Sequence, residues 1–348
     1  NVNSGQVVLS FSVSPPKDNS FLLKNGLQDV GERVSQLVCL SDQQCRFVLP
    51  RTNDLYSKCI KLSDIVTINT GVNIGGASAS FLSSQKLSPD WLPFISTKTI
   101  KTKYQQVKHD GKFINFSQAL VEKINDENKR QGSKNVVVLG NVERFVGEKI
   151  FIRQSAPAII ASDDKQISVS PYSIFVLKIK AEHSTLFNIN YILALLNSSL
   201  ITSYALANQI IRTGKGKQPQ IRKSGLDELP IKEPSVTESE LFNNLVNLFK
   251  FAQAYGLFDL LIFLETLIDA CVMECYFRDH MAERDLLFQD DVAQALTGYD
   301  SDASEAEQLR FIETLHQRLT AAKIPERLQR IPEASPDLLG VILKEGKV

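Results

Sequence analysis

Residues 148–180 read "EKIFIRQSAPAIIASDDKQISVSPYSIFVLKIK". Apolar runs rich in Ile, Val and Phe begin here, as "EKIFIRQSA" (148–156), "PAIIAS" (157–162) and "SIFVLKIKA" (173–181), with the turn-forming "SDDKQ" (162–166) between the last two. β-Branched and aromatic residues fit a pleated, half-buried surface, so short runs of them bounded by turn residues predict strands. The surroundings read the same way. "WLPFIS" (91–96) and "KNVVVLG" (134–140) are further strand candidates, and from Lys61 "KLSDIVTINTGVNIGG" reads as a short helix, a strand and a Gly-rich turn. A compact, largely β domain over 62–232 follows. Upstream, "GQVVLSFSVS" (5–14) alternates like an edge strand, and 21–60 is mixed with no clear boundary.

Within that domain one long helix is predicted over 188–211, with Asn188 as N-cap and Ile192, Leu195, Leu196 and Leu200 on one face. It runs into "IRTGKGKQPQI", a basic, glycine-containing loop without an acid. "ELPIKEPSVTESE" (228–240) is a proline-punctuated linker. In it, Thr237 with Glu240 fits a capping box that opens the next helix, with Ser239 as the fallback cap. From Glu240 to about Thr320 the apolar spacing is helical, whereas the tail 324–348, with three prolines, is expected to lie over the surface. The fold class is α+β: a mixed, largely β domain at 62–232 and an all-α extension at 233–348, preceded by a connector at 1–61.

The formal net charge of zero over 348 residues argues against a uniformly basic nucleic-acid binder. It conceals a segregation. Residues 210–223 hold Arg212, Lys215, Lys217, Arg222 and Lys223 with no acid, and residues 96–112 hold Lys98, Lys101, Lys103, Lys108 and Lys112 against Asp110 alone. Residues 278–313 are strongly acidic. The five cysteines (Cys39, Cys45, Cys59, Cys271, Cys275) contain no C-x-x-C pair and read as reduced structural thiols of a cytoplasmic protein. Cys271 and Cys275, four apart, are expected to share a packed face, and the four histidines are scattered, which disfavours zinc. No signal peptide opens the chain, and its most apolar window, 257–268, is too short to span a bilayer. The missing initiator Met leads us to expect that residue 1 lies within a longer natural chain.

Four stretches together resemble the C-terminal specificity region of TaqI-like adenine-N6 DNA methyltransferases and their type IIG restriction–modification relatives. They are "LSDIVTINTGVNIG" (62–75), the strand pair of 148–180, "NINYILALLNSSLITSYALANQIIRTGKGKQPQIRKSGLDELPI" (188–231) and, more weakly, "FLETLIDACVMECYF" (263–277). The resemblance implies a target recognition domain at 62–232 that docks double-stranded DNA beside a methyltransferase catalytic domain, in the same natural chain or on a partner subunit. The family's catalytic half uses S-adenosylmethionine, an (N/D/S)-P-P-(Y/F) loop that holds a flipped adenine, and in fused nucleases Mg. Here Ser14-Pro15-Pro16 is followed by Lys17 instead of the aromatic, and "GVNIGGAS" (71–78) lacks the context and following acid of a cofactor loop. No cofactor and no catalytic residue are therefore assigned to this chain, and residues 1–61 read as a connector or the trailing edge of a missing catalytic domain. The reading from another class is a helical protein–protein interaction module whose acidic helices dock a basic partner.

The resemblance also orders the candidate contacts. Glycines let backbone N–H groups approach phosphate closely and cations release counterions, so Arg212, Gly214, Lys215, Lys217, Arg222 and Lys223 are the phosphate candidates. A solvated basic turn after a helix is the plain alternative. Lys98, Lys101, Lys103 and Tyr104 are placed near the groove or backbone, the alternative being a solvated surface. Arg153 and Gln154, whose forked groups fit guanine and adenine edges, are base-reading candidates; the alternative pairs Arg153 with Asp163 or Asp164. "ASDDK" (161–165) reads as a turn, since a nuclease metal site needs a further acid on a defined neighbouring strand. The apolar faces around Phe258, Phe263, Leu267 and Phe277 read as core, or as an interface with the missing half.

Overall fold

The computed structural model describes residues 20–23, 32–35, 56, 58–214 and 217–346. The strand read at 5–14, the Pro15-Pro16 turn, Cys39, Cys45, Lys215 and Gly216 lie outside the described residues. In chain order the strands are β1 (Ser20–Leu23), β2 (Glu32–Ser35), β3 (Ile60–Lys61), β4 (Val66–Thr70), β5 (Leu82–Ser83), β6 (Trp91–Phe94) and β7 (Lys112–Asn115). There follow β8 (Lys149–Arg153), β9 (Ala161–Asp164), β10 (Ile174–Ile179), β11 (Ile211–Gly214), β12 (Lys217–Ile221) and β13 (Pro230–Ile231). Beyond two single helical turns at 62–65 and 78–81, the helices are α1 (Gln118–Arg130), α2 (Ile189–Asn197), α3 (Ser199–Ala207), α4 (Lys223–Asp227) and α5 (Val236–Ala254). The chain ends on α6 (Phe258–Ala282), α7 (Gln289–Ala295), α8 (Glu305–Ala321), α9 (Ile324–Ala334) and α10 (Leu339–Gly346).

The central sheet is antiparallel in the order β4-β10-β8-β9. Its two inner strands, β8 and β10, are apolar on both faces because both faces are covered. Ile150, Ile152, Phe175 and Leu177 pack toward the helices, in a core that runs from Leu62 through α2, α3, α5 and α6 to Leu343 of α10. Phe151, Ile174 and Val176 pack the opposite way, into a second core with Phe81, Ile114, Val121 and Phe145, contributed by the small β5-β7-β6 sheet, α1 and the segments that connect them. The fold is α+β, with a strand-rich middle and a helical C-terminus, and its larger core is continuous across residue 232. Among the described residues no single helix is long and apolar enough to cross a membrane; only the bent α2–α3 pair passes by composition, and α2 is buried throughout.

Several local expectations change. The helix expected over 188–211 starts at its Asn188 cap but breaks into α2 and α3, bent by 56° at Ser198. There Ser198 caps the second helix, and the Asp269 carboxylate accepts from the Ser199 amide at 2.8 Å and from its hydroxyl at 2.5 Å. "KNVVVLG" is not a strand. Side-chain amides of α1 satisfy its backbone instead: Asn125 bonds both the N–H and the C=O of Val137, at 2.8 and 3.0 Å, and Asn128 donates to the Asn135 carbonyl. Asp163 and Asp164, read as turn residues, lie in β9, where a half-buried and a buried lysine neutralise them. Lys250 of α5 reaches Asp163 at 2.8 Å and Lys149 reaches Asp164 at 3.0 Å. The tail does not lie loosely over the surface, because α10 packs on α3 with Ile342 and Leu343 buried. Gly346 sits so near Ser199 that a Cβ would strike its carbonyl oxygen. Cys271 and Cys275 are buried and unbridged on one helix, as expected.

The capping box of α5 also sits two residues earlier than read. Ser235 accepts from the Glu238 amide at 3.1 Å, and the Glu238 carboxylate accepts from the Ser235 amide at 2.7 Å. Ser235→Ala is therefore expected to lower stability by about 1 kcal/mol. Thr237→Ala, which removes only a hydroxyl contact to Ser235, should change it by no more than about 0.5 kcal/mol. Urea unfolding of the two variants checks the order.

Candidate nucleic-acid interface

One end of the central sheet is built from five chain segments laid side by side. Val138 exchanges both backbone bonds with Asn73, at 2.7 and 2.8 Å. Val72 donates to Ser170 at 2.8 Å, and the next residue along, Pro171, bridges back to Val72. Gln154 donates its amide to Ser173 at 3.0 Å and its carbonyl accepts from Ile221 at 2.7 Å, which ties the base of the β11–β12 hairpin to the tip of β8. Neighbouring segments in a sheet are about 4.8 Å apart, so the row is about 19 Å wide, the rise of roughly five or six stacked base pairs. Gly71 makes the row possible, since any Cβ there would run into the carbonyl oxygens of Ser170 and Pro171.

Cations gather on the hairpin side of this end. Arg212 and Arg222 are exposed and form no ion pair with any described residue. Gly214 closes the hairpin by pairing with Lys217 after a bulge in β11. Lys223 is also exposed, but its ammonium lies 3.0 Å from Asp227 one helical turn on, which offsets part of its charge. Lys215 lies outside the described residues, and of Lys217 only the backbone is described.

The other candidates separate. Arg153 does not pair with Asp163 or Asp164, both of which are held by lysines; it is half-buried at the end of β8 and its Nε is buried without a partner. Gln154 spends one amide hydrogen on the Tyr172 carbonyl. Lys98 and Lys101 are exposed. Lys103 and Tyr104 turn away from solvent. Lys103 reaches Glu265 of α6 at 2.6 Å, while Tyr104 is 1% exposed, with its ring 4.6 Å from that of Phe249. Tyr104 takes a left-handed φ of 60° to make this turn, and its hydroxyl pKa is pushed well up by burial. It is a core residue and not a groove contact, because the strip it belongs to runs beside β9 under α5 (its amide donates to Ala161) instead of over open surface. Of the faces around α6, Leu267 and Phe277 are core, Phe263 is half-buried and Phe258 is exposed.

Sequence reasoning missed Val136, Val138 and Tyr172, which are 57%, 50% and 55% exposed in this row. The available signal was position: an aromatic following a proline in the connection before β10 has no strand face to bury it. In the Gly71–Ala77 turn, the close approach that Gly71 permits is taken up by the chain's own Ser170 and Pro171 carbonyls, so that this glycine offers no cradle for S-adenosylmethionine.

Most of this sheet end, apart from its Val72–Asn73 segment, falls within a stretch that matches a known family. Residues 95–231 match the family described as the TaqI-like C-terminal specificity domain, so the resemblance drawn from the motifs holds over that part of the chain. No curated protein matches the chain. Among solved structures, it is similar to the HsdS subunit from Thermoanaerobacter tengcongensis, at 13% identity and a TM-score of 0.34 over 62% of this chain and 44% of that one. It is also similar to the type IIG restriction endonuclease BpuSI, at 14% and 0.36 over 65% and 32%. A third is the type IIL restriction–modification enzyme MmeI in complex with DNA, at 11% and 0.35 over 74% and 36%. The chain spans less than half of the length of each of these three.

Proposed function

We propose that the chain is the sequence-reading part of a restriction–modification protein: it docks duplex DNA against the row at the end of the central sheet and leaves chemistry to other domains. The observation that carries this is the coincidence of the specificity-domain match at 95–231 with a sheet end bearing exposed Arg212 and Arg222, which form no ion pair with any described residue. In this reading Arg212, Arg222, Lys215, Lys217 and the Gly214 backbone hold phosphates, with Lys223 and the exposed Lys98 and Lys101 at the margin. Arg153, with no acid among the described residues to neutralise it, reads a base, and Gln154 serves beside it. The whole protein would be an adenine-N6 methyltransferase, with or without a nuclease, whose S-adenosylmethionine site lies outside the residues described. Residues 62–232 would form the recognition domain and 233–348 its helical support.

Selection of bound duplexes from a random library across a salt series tests the reading. An enriched short motif with a steep salt slope is expected, and absence of duplex binding would overturn it. Arg212→Ala should weaken binding to all sequences alike and lower the log–log salt slope by about 1. Arg153→Ala should cost about 1–3 kcal/mol at one position and relax the preference there.

A further inference from the structure

Tyr172 stands in the connection that leads into β10, and its backbone is pinned from both sides. Its carbonyl accepts from the Gln154 side chain, the next carbonyl, of Ser173, accepts from the Gln154 amide, and Ile174 donates back to Pro171 at 3.0 Å. The side chain itself is free: it is 55% exposed, and no described residue offers it a ring contact or a hydrogen bond. The contrast with the other exposed tyrosine is instructive. Tyr255, at 45%, lies with its ring 4.5 Å from Phe251 and bonds Glu305. Tyr172 is thus an aromatic ring on a pinned backbone, left unused by the described fold.

Val138 and Val136 are exposed in the same row two segments away, beyond the exposed Asn73 that pairs with Val138, with Val137 and Leu139 between and beyond them buried as anchors. Exposed large apolar side chains that recur along one sheet end are candidates for contact with a partner. What binds is limited by the surroundings. Arg212, Arg222 and Arg153 flank the same row and call for a polyanion, so the aromatic ring must meet the apolar part of that polyanion. In the major groove of duplex DNA that part is the 5-methyl group of thymine, which cytosine lacks. We propose that Tyr172, flanked by Val136 and Val138, reads the 5-methyl group of a thymine within the target site, an assignment that rests on the duplex-DNA reading above. Gln154 is then a positioning residue: its amide fixes the Tyr172 backbone, and its effect on base preference runs through that bond.

The test uses the full chain and the duplex enriched by selection. Each thymine is replaced in turn by deoxyuridine, which removes the methyl group and keeps Watson–Crick pairing. For the unaltered chain, one thymine position should show about four-fold weaker binding, equivalent to about 0.8 kcal/mol for one buried methyl at 1.4 kcal/mol per tenfold. Tyr172→Ala should bind the thymine and uracil duplexes equally at that position with an unchanged salt slope, and Tyr172→Phe should keep the discrimination. Because Tyr172 is exposed, neither substitution threatens folding. Val138→Ser provides a second variant, expected to narrow the same difference. A selected site without thymine, indifference of the unaltered chain to every replacement, or survival of the discrimination in Tyr172→Ala would each overturn the assignment while leaving DNA recognition intact. Failure of the unaltered chain to select any sequence would overturn both.

Discussion

Lys149→Ala is expected to lower the unfolding free energy by about 3–5 kcal/mol, among the largest effects of any single substitution in the sheet. The Lys149 side chain is wholly buried, and its ammonium is fully used: it lies 3.0 Å from Asp164, donates to the Gly147 carbonyl at 3.0 Å and donates to the Gln166 carbonyl. Burial holds its pKa below the ordinary lysine value, and the Asp164 charge opposes that shift. Alanine would leave a buried carboxylate and two carbonyls without their cation. Removing the charge on both sides, as Lys149→Met with Asp164→Asn, should recover most of the loss, since a well-packed neutral pair is often as stable as a buried ion pair. Because the folded chain releases the Lys149 proton at lower pH than the unfolded chain, stability from this residue should rise with pH between the folded value and the ordinary one. Urea midpoints for the single and double variants measure the coupling; equal losses in both would mean that the pair is not the unit. Lys149 lies at the far end of β8 from Arg153, about 14 Å along the strand. Base preference, measured below the melting temperature, should therefore be unchanged.

The sequence disclosed strands where burial on both faces produced apolar runs, as in β8 and β10, and where β-branched residues alternate, as in β4, because such patterns need no long-range information. It misled where side chains substitute for the ladder. The β-branched residues of 135–138 look like a strand, yet Asn125 and Asn128 of α1 take up their backbone groups, and only the helix behind them reveals this. It misled again where charge is buried. The acids of "SDDK" are polar enough to suggest a turn, but their lysines come from the start of β8 and from α5, 87 residues from Asp163 in the second case. For the interface, the basic hairpin was legible because cations without acids are a local property. Tyr104 and Lys103 were not, since their fate depends on α5 and α6 folding back over the strip. Tyr172 was overlooked for the converse reason: nothing in its neighbourhood says that no other element will cover it.

Asp269→Ala is expected to cost about 2–3 kcal/mol and to loosen the bend that feeds the basic hairpin. The Asp269 side chain of α6 is buried, and its two oxygens hold the Ser199 amide and hydroxyl where α2 breaks into α3. Loss of the carboxylate leaves a buried N–H without an acceptor, which carries the full penalty of desolvation. Asp269→Asn keeps one oxygen for the Ser199 amide and should cost less, about 1 kcal/mol. The two also differ in pH dependence. Burial, the largest cause, raises the Asp269 pKa, with the Lys103 charge and the Ser199 bonds opposing it. The folded chain therefore keeps this proton to higher pH than the unfolded chain, and the native protein loses the associated stability as pH climbs from the ordinary carboxylate range through the raised value. The asparagine variant has no proton to lose, so its deficit relative to the native chain should shrink from acid to neutral pH. A deficit that grows over that interval would show that the carboxylate is held as an anion and would remove burial as the dominant influence. The same variants address the hairpin, because α3 ends where the Ile210 amide donates to Ala205 and β11 begins with Ile211. A bend released at Ser199 moves Arg212 without touching it. Asp269→Ala should thus weaken duplex binding across all sequences at temperatures where the chain remains folded, in the manner of Arg212→Ala, while leaving the thymine-against-uracil ratio set by Tyr172 unaltered.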